Sequence, residues 1–153
     1  MIIGKIVTNL EINNYIDQVK EILKEVFVEE KGYKEDVVFN IDGAQKYHVL
    51  LYEDIKEDDL VAYGRLIINM DIANIMLIAV KQNYRGKKYG DLVIRMLIDK
   101  AMSMSYKDIY TDVPDSHVGM FEKVGFYKVV DAQYMKSNKI KLKYNINKQK
   151  SCQ

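Results

Sequence analysis

Apolar positions open the chain in the run "MIIGKIV", which predicts a first strand over 1–7. After it Ile12, Ile16, Val19, Ile22, Leu23, Val26 and Phe27 recur at helical steps and define one apolar helix face. Gly32 suits the stop that follows. "KEDVVFNIDGAQ" is short and mixed, and reads as a loop with a helical turn. "KYHVLLYED" and "DLVAYGRLIINM" are β-rich, with "IKED" between them as a hairpin connection. "MDIAN" reads as a second turn. "IMLIAV" is a strand apolar on both faces, as expected near the centre of a sheet.

From Tyr89 the period changes. Leu92, Val93, Met96, Leu97, Ala101 and Met104 fall on one side of a helix. "KDIYTDV" follows as a strand, closed by the sole proline, Pro114. Strand, helix and strand in this order form a crossover between parallel strands. "DSHVGMFEKV" is a short helix with Asp115 or Ser116 as cap, ended at Gly125. "FYKVVDAQYM" and "KIKLKYNI" alternate and pair as a final hairpin around "KSN". The expectation is one α/β domain over 1–153, with 146–153 as a frayed tail.

Composition narrows the functional classes. The 153 residues carry a net charge of +1, which argues against a general nucleic-acid binder. One cysteine, Cys152, builds neither a disulfide framework nor a metal knuckle, so no metal is expected and a reducing cytoplasm is the default. The N-terminal segment meets acid at Glu11 and does not read as a signal peptide. No run approaches the roughly 20 apolar residues that span a bilayer, so no membrane partner is expected. Beyond Asp131 there is no acid, and Lys136, Lys139, Lys141, Lys143, Lys148 and Lys150 follow. They read as a solvated edge strand, with a polyanion contact as the alternative.

The charge at one strand-to-helix turn stands out. In "VKQNYRGKKYGDL" Arg85, Lys87 and Lys88 surround Gly86, and Tyr89 and Gly90 open the helix. A helix start leaves backbone N–H groups without partners at the positive end of the dipole, where an anion docks. The glycines allow close approach of that backbone. The turn is neither a P-loop nor a dinucleotide fingerprint, because both spacings are absent.

The segment "LIAVKQNYRGKKYGDLVIRMLIDKA" resembles the acetyl-CoA-binding motif of the GNAT acetyltransferases, Arg/Gln-x-x-Gly-x-Gly/Ala after an apolar strand. Arg85 and Gly90 match its ends, and Lys88 stands in place of the middle glycine. "DSHVGMFEKVGFYKV" resembles the family's second signature, with Glu122, Lys123, Gly125 and Phe126 matching. "EVFVEEKGY", "DGAQKYH" and "AYGR" are similar to three stretches of one branch of that family. Val26, Phe27, Glu30 and Gly32 match the first, with Lys31 replacing a glutamine, and Ala62 replaces a glycine in the last.

The resemblance implies a mixed, twisted sheet of six to seven strands flanked by helices, with a splayed parallel pair. Acetyl-CoA would lie along Ile78, Ala79 and Val80, with its pyrophosphate on Arg85, Gly86, Lys87, Lys88, Tyr89 and Gly90. Phe121 would pack on the pantetheine arm. It stands where relatives place the tyrosine that protonates the leaving thiolate, and Asn74 where many place the basic glutamate. Asp71, Glu30 and His48 are the alternative bases, and His117, Ser116 and Tyr127 the nearby groups with exchangeable protons. Glu30, Arg65 and His48 are assigned to the acceptor side, Arg65 pairing with an acid such as Glu30 or facing the pocket. A histidine in an alternating strand is also read as structural. The implied partners are acetyl-CoA and an amine, by direct attack on the thioester. A domain that binds acyl-CoA without turnover is the rival reading. Oligomeric state stays open, a homodimer included.

Overall fold

The computed structural model describes residues 1–34, 45–129 and 138–147. Seven strands form one sheet: β1 (Ile3–Thr8), β2 (Lys46–Tyr52), β3 (Leu60–Asn69), β4 (Ile72–Val80), β5 (Asp108–Pro114), β6 (Phe126–Lys128) and β7 (Lys139–Tyr144). Their order is β1-β2-β3-β4-β5-β7-β6. β1 to β4 are antiparallel neighbours. β4 and β5 are the parallel pair, and β7 is antiparallel to β5 and β6. The predicted loop of "KEDVVFNIDGAQ" lies almost wholly outside the described residues, as does the turn "KSN" but for Asn138.

Alternation along the strands builds two cores. Val49 and Leu51 of β2 face one way, and Leu50 and Tyr52 the other. One face is covered by α1 (Ile16–Leu23), preceded by a 3-10 turn and continued as a π-helix over Lys24–Glu30. Gly32 ends that helix with φ +73°, and its N–H donates to the Val28 carbonyl. The other face is covered by α2 (Tyr89–Ser103) and α3 (Val118–Val124). At Gly64 a Cβ would lie 2.4 Å from Val93 Cγ1, so α2 rests directly on β3 there.

Three expectations need correction. β4 begins at Ile72, inside the predicted turn, so Asn74 is a mid-strand residue. The cap expected from Asp115 or Ser116 is absent: those residues form a 3-10 turn, and His117 stands at the N-cap without a side-chain cap bond. β7 is not an edge strand but lies between β5 and β6, so its lysines belong to a sheet face. Lysine at alternate positions looks the same in either setting.

β4 carries the feature that shapes the site. Its pairing with β3 passes from Arg65↔Met76 to Tyr63↔Ala79, so Leu77 and Ile78 oppose Gly64 alone. This is a bulge, and Leu77 sits in it with φ +55°. Pairing with β5 ends at Ile75↔Thr111. There the buried Thr111 hydroxyl donates to the Ile75 carbonyl at 2.8 Å. Beyond that rung β4 and β5 part.

Candidate active site

The parting strands open a continuous V. One half, about 500 Å³, lies between β4 and β5 and includes Asn74, Met76, Tyr110, Asp112, His117 and Phe121 in its walls. The other, about 860 Å³, runs over the start of α2 along Val80, Gly86, Lys88, Gly90 and Lys123. Lys31, Ile78, His117 and Met120 line both, so the halves meet at these four residues.

The groove over α2 is the better built. Lys88 precedes the helix at φ +66° and makes no side-chain cap bond, leaving first-turn amides to an outside acceptor. Gly90 packs against the end of β4, where a Cβ would stand 3.3 Å from Met120 Sδ and 3.7 Å from Val80 Cγ2. Gly86 takes φ +84° with open space around it.

The cations of the turn are arranged differently from the sequence expectation. Arg85 does not point freely into the groove. Its Nη1 and Nη2 donate to both Glu30 oxygens at 3.0 and 2.7 Å, and its Nε donates to the Val80 carbonyl at 2.9 Å. Glu30 lines the α2 groove rather than the half between β4 and β5, and Arg85 holds its carboxyl below the usual range. Lys87 turns to Glu53 at 3.2 Å and is not part of the groove wall. Tyr89 also donates to Glu53, which raises its phenol to about 12. Of the three cations expected around a phosphate, two are engaged with carboxylates. Arg85, held in its ion pair with Glu30, and Lys88 both line the groove.

On the opposite side two candidates meet and three do not. Asn74 is half-buried beside Tyr110 in register. His117 stands at the junction, its pKa pushed below the ordinary value by burial and by the nearby Lys31 charge. Asp71 lies exposed in the β3–β4 turn and lines neither half. Arg65 and His48 are buried outside the V. Arg65 Nε donates to the Tyr63 oxygen at 2.9 Å. Tyr63 and His48 Nδ1 are 2.6 Å apart, and His48 Nε2 is 2.8 Å from Asn9 Oδ1. The Asn9 oxygen can only accept, so Nε2 carries the hydrogen and Nδ1 accepts from Tyr63. Burial, then the Arg65 and Lys46 charges, hold His48 down to about 3, a neutral core histidine.

Along β4 the side chain of Ala79 turns to the α1 core, while Ile78 and Val80 face the groove. Phe121 does border the V but is 1% exposed, edge-on to Phe126 at 5.2 Å. Ser116 and Tyr127 are exposed and line neither half. Lys31, Tyr33, Tyr110, Lys139 and Lys141 do line it and were missed. The alternation of β5 and β7 signals one face for the last three, but only once the strands are known to be neighbours.

Comparison with known proteins bears on the family and the fold. The acetyltransferase (GNAT) family profile matches residues 16–126. ElaA of Escherichia coli superposes with a TM-score of 0.80 at 18% identity, covering 94% of this chain and 99% of its own. An acyl-CoA N-acyltransferase from Pseudomonas aeruginosa gives 0.78 at 16% identity, over 95% and 100%. The PaiA N-acetyltransferase of Thermoplasma acidophilum, solved in complex with coenzyme A, gives 0.65 at 12%, over 95% and 99%. No protein of curated function matches the sequence.

Proposed function

Because the chain belongs to the acetyltransferase (GNAT) family, we propose that it moves an acetyl group from acetyl-CoA to a primary amine. The observation that carries the reading is the V itself. β4 leaves β5 after Ile75, exposes backbone along its last residues, and runs straight into the uncapped start of α2. An extended pantetheine arm can add to such a strand as another strand would. The pyrophosphate then meets the amides of Gly86 to Gly90 with Lys88 beside them. Coenzyme A bound to a protein of the same fold supports the fit.

The amine nitrogen attacks the thioester carbonyl, the new C–N bond forms, the C–S bond breaks and CoA leaves as thiolate. The ammonium proton must go to a base. We assign this role to His117, which stands where the two halves of the V meet and whose lowered pKa favours the neutral imidazole. Asn74 has no basic form but can hold a water in the path. Glu30 and Arg85 tie the end of the π-helix to the phosphate turn and so hold the groove's mouth. Saturable CoA binding by calorimetry, with CoA release on an amine panel, tests the reading. Failure to bind CoA would overturn it.

Phe121 favours a second reading, binding without efficient turnover, because it has no proton for the thiolate. CoA binding with no CoA release on any amine would select it. For the transfer reading, Phe121→Tyr should raise the single-turnover rate roughly tenfold to a hundredfold. That is at or below the low end of general acid catalysis, since a thiol pKa near 8.5 already makes a tolerable leaving group. An unchanged rate, with the new hydroxyl within hydrogen-bond reach of sulfur, would place the acid elsewhere.

Lys88→Gly is expected to bind CoA within about tenfold of the parent, or 1.4 kcal/mol. Glycine relieves a left-handed backbone that strains other residues by roughly 1–2 kcal/mol, against some entropy loss, so stability should hold or rise. A larger loss of affinity would make the lysine side chain itself the main phosphate ligand.

A further inference from the structure

Of the four residues that line both halves of the V, two carry exchangeable protons, His117 and Lys31. His117 has the base role assigned above, and the reaction so far leaves Lys31 without a task. Lys31 is the C-cap of the π-helix, with Gly32 at φ +73° directly after it. The helix end is thus what sets it at the junction, where the negative end of the dipole favours a cation. Its ammonium lies over the Phe27 ring, 5.1 Å from the centroid. A ring orients a cation without cancelling its charge. Neighbouring Glu30 gives both carboxylate oxygens to Arg85, at 3.0 and 2.7 Å. The Lys31 charge also acts on His117, so the two groups share one neighbourhood. Burial, then the Arg85 charge, hold the Lys31 pKa below the ordinary lysine value. A negative charge set beside the ammonium would be stabilised and would reverse that fall.

Acetyl transfer makes such a charge. As the C–N bond forms and the C–S bond breaks, the acceptor's proton goes to the base and the C–S electron pair stays on sulfur. Phe121 has no proton for it. A pantetheine arm that runs from the phosphate turn along Val80 and Ile78 reaches the junction, since Ile78 lines both halves. We propose that Lys31 is a further catalytic residue, whose ammonium lies against the CoA sulfur and stabilises the leaving thiolate by its charge. This rests on the acetyl-CoA reading of the V. No proton leaves the lysine: the thiolate departs paired with it and takes its proton from solvent. The other charged groups around the junction are His117, the Arg85–Glu30 pair, Lys88 at the start of α2, Asp112 of β5, and Lys139 and Lys141 of β7. All of them stay in place when position 31 alone is changed.

The test reads the sulfur directly. The full chain is saturated with CoA, and thiolate is followed by ultraviolet absorbance against pH, with the desulfo-CoA complex as blank. The bound thiol should titrate about one pH unit or more below free CoA. Lys31→Met should remove most of that difference, and Lys31→Arg, which keeps the charge, should recover it. Lys31 is exposed, so neither substitution threatens the fold. Single-turnover transfer from acetyl-CoA should fall about tenfold to a hundredfold in Lys31→Met and recover in Lys31→Arg, with acetyl-CoA affinity within about threefold of the parent. A bound thiol that titrates with free CoA, or equally in parent and Lys31→Met, would overturn the proposal and leave the acetyl-CoA site standing. A slower Lys31→Met with the thiol titration unchanged would also overturn it, because the lysine would then act on the acceptor. If no amine is acetylated, the thiol titration alone decides. Calorimetry that detects no CoA binding would remove the site itself and the proposal with it.

Discussion

Gly90→Val is expected to weaken CoA binding by about a hundredfold, or roughly 2.7 kcal/mol, while leaving the protein folded. The first carbon added at Gly90 already meets Met120 Sδ at 3.3 Å and Val80 Cγ2 at 3.7 Å. Met120 is a flexible side chain and can give way by a few tenths of an ångström. The two further methyls of valine have no such allowance. They add bulk between the end of β4 and the first turn of α2, where the proposed CoA site brings the phosphates to the amides. Helical backbone at this position accepts valine, so thermal stability should change by about 1 kcal/mol or less. Calorimetric titration with CoA, checked against the melting curve, separates the effects. A folded variant that binds CoA within about threefold of the parent would remove the phosphates from this turn.

The second large effect is on stability in acid. His48 is held at about 3 in the folded protein, against about 6.5 in an unfolded chain. Between those values the unfolded chain binds a proton that the folded one refuses. The sign follows directly: stability is whole above pH 6.5 and falls as the pH drops toward 3. Each unit corresponds to about 1.4 kcal/mol, so roughly 3 kcal/mol should be lost by pH 4.5. Carboxylates paired in the fold, Asp59 and Glu30 among them, add loss of the same sign. His48→Gln isolates the histidine, because glutamine can still donate to Asn9 and accept from Tyr63 without titrating. Urea unfolding from pH 7 to 4.5 should show a steeper decline for the parent than for the variant. Parallel declines would mean that His48 is not the acid-sensitive group.

Much of this architecture was legible where the cause is local. The change of period at Tyr89, the doubly apolar β4 and the stop at Gly32 are statements about neighbours along the chain, and each holds. The turn expected to hold a phosphate was conspicuous because strand, glycine and helix start lie within one short segment, and most of its residues line one groove. What escaped depends on distance along the chain. Glu30 lies 55 residues from Arg85, and no spacing rule pairs them, so the charge around Gly86 was taken as aimed at a ligand. Arg65 and His48 face each other across β2 and β3. Their alternation is that of any inward residue, whether it faces a core or a pocket. Asp71 was attractive for its chemistry, but its place in the chain is a turn. The wall of Lys31, Lys139 and Lys141 was out of reach because it needs β7 beside β5, which the final hairpin alone does not specify.

The placing of β7 bears on how the protein is made. β6 emerges before β7 and, among the described strands, pairs with no other, and the outer edge of β5 takes the same partner. While residues up to 138 are being synthesised, that edge is an unpaired row of donors and acceptors, open to another nascent chain. β6 is three residues long, too short to serve as a substitute. Among the described strands β7 is thus what joins β6 to the sheet, and its pairing with β5 completes that side of the V.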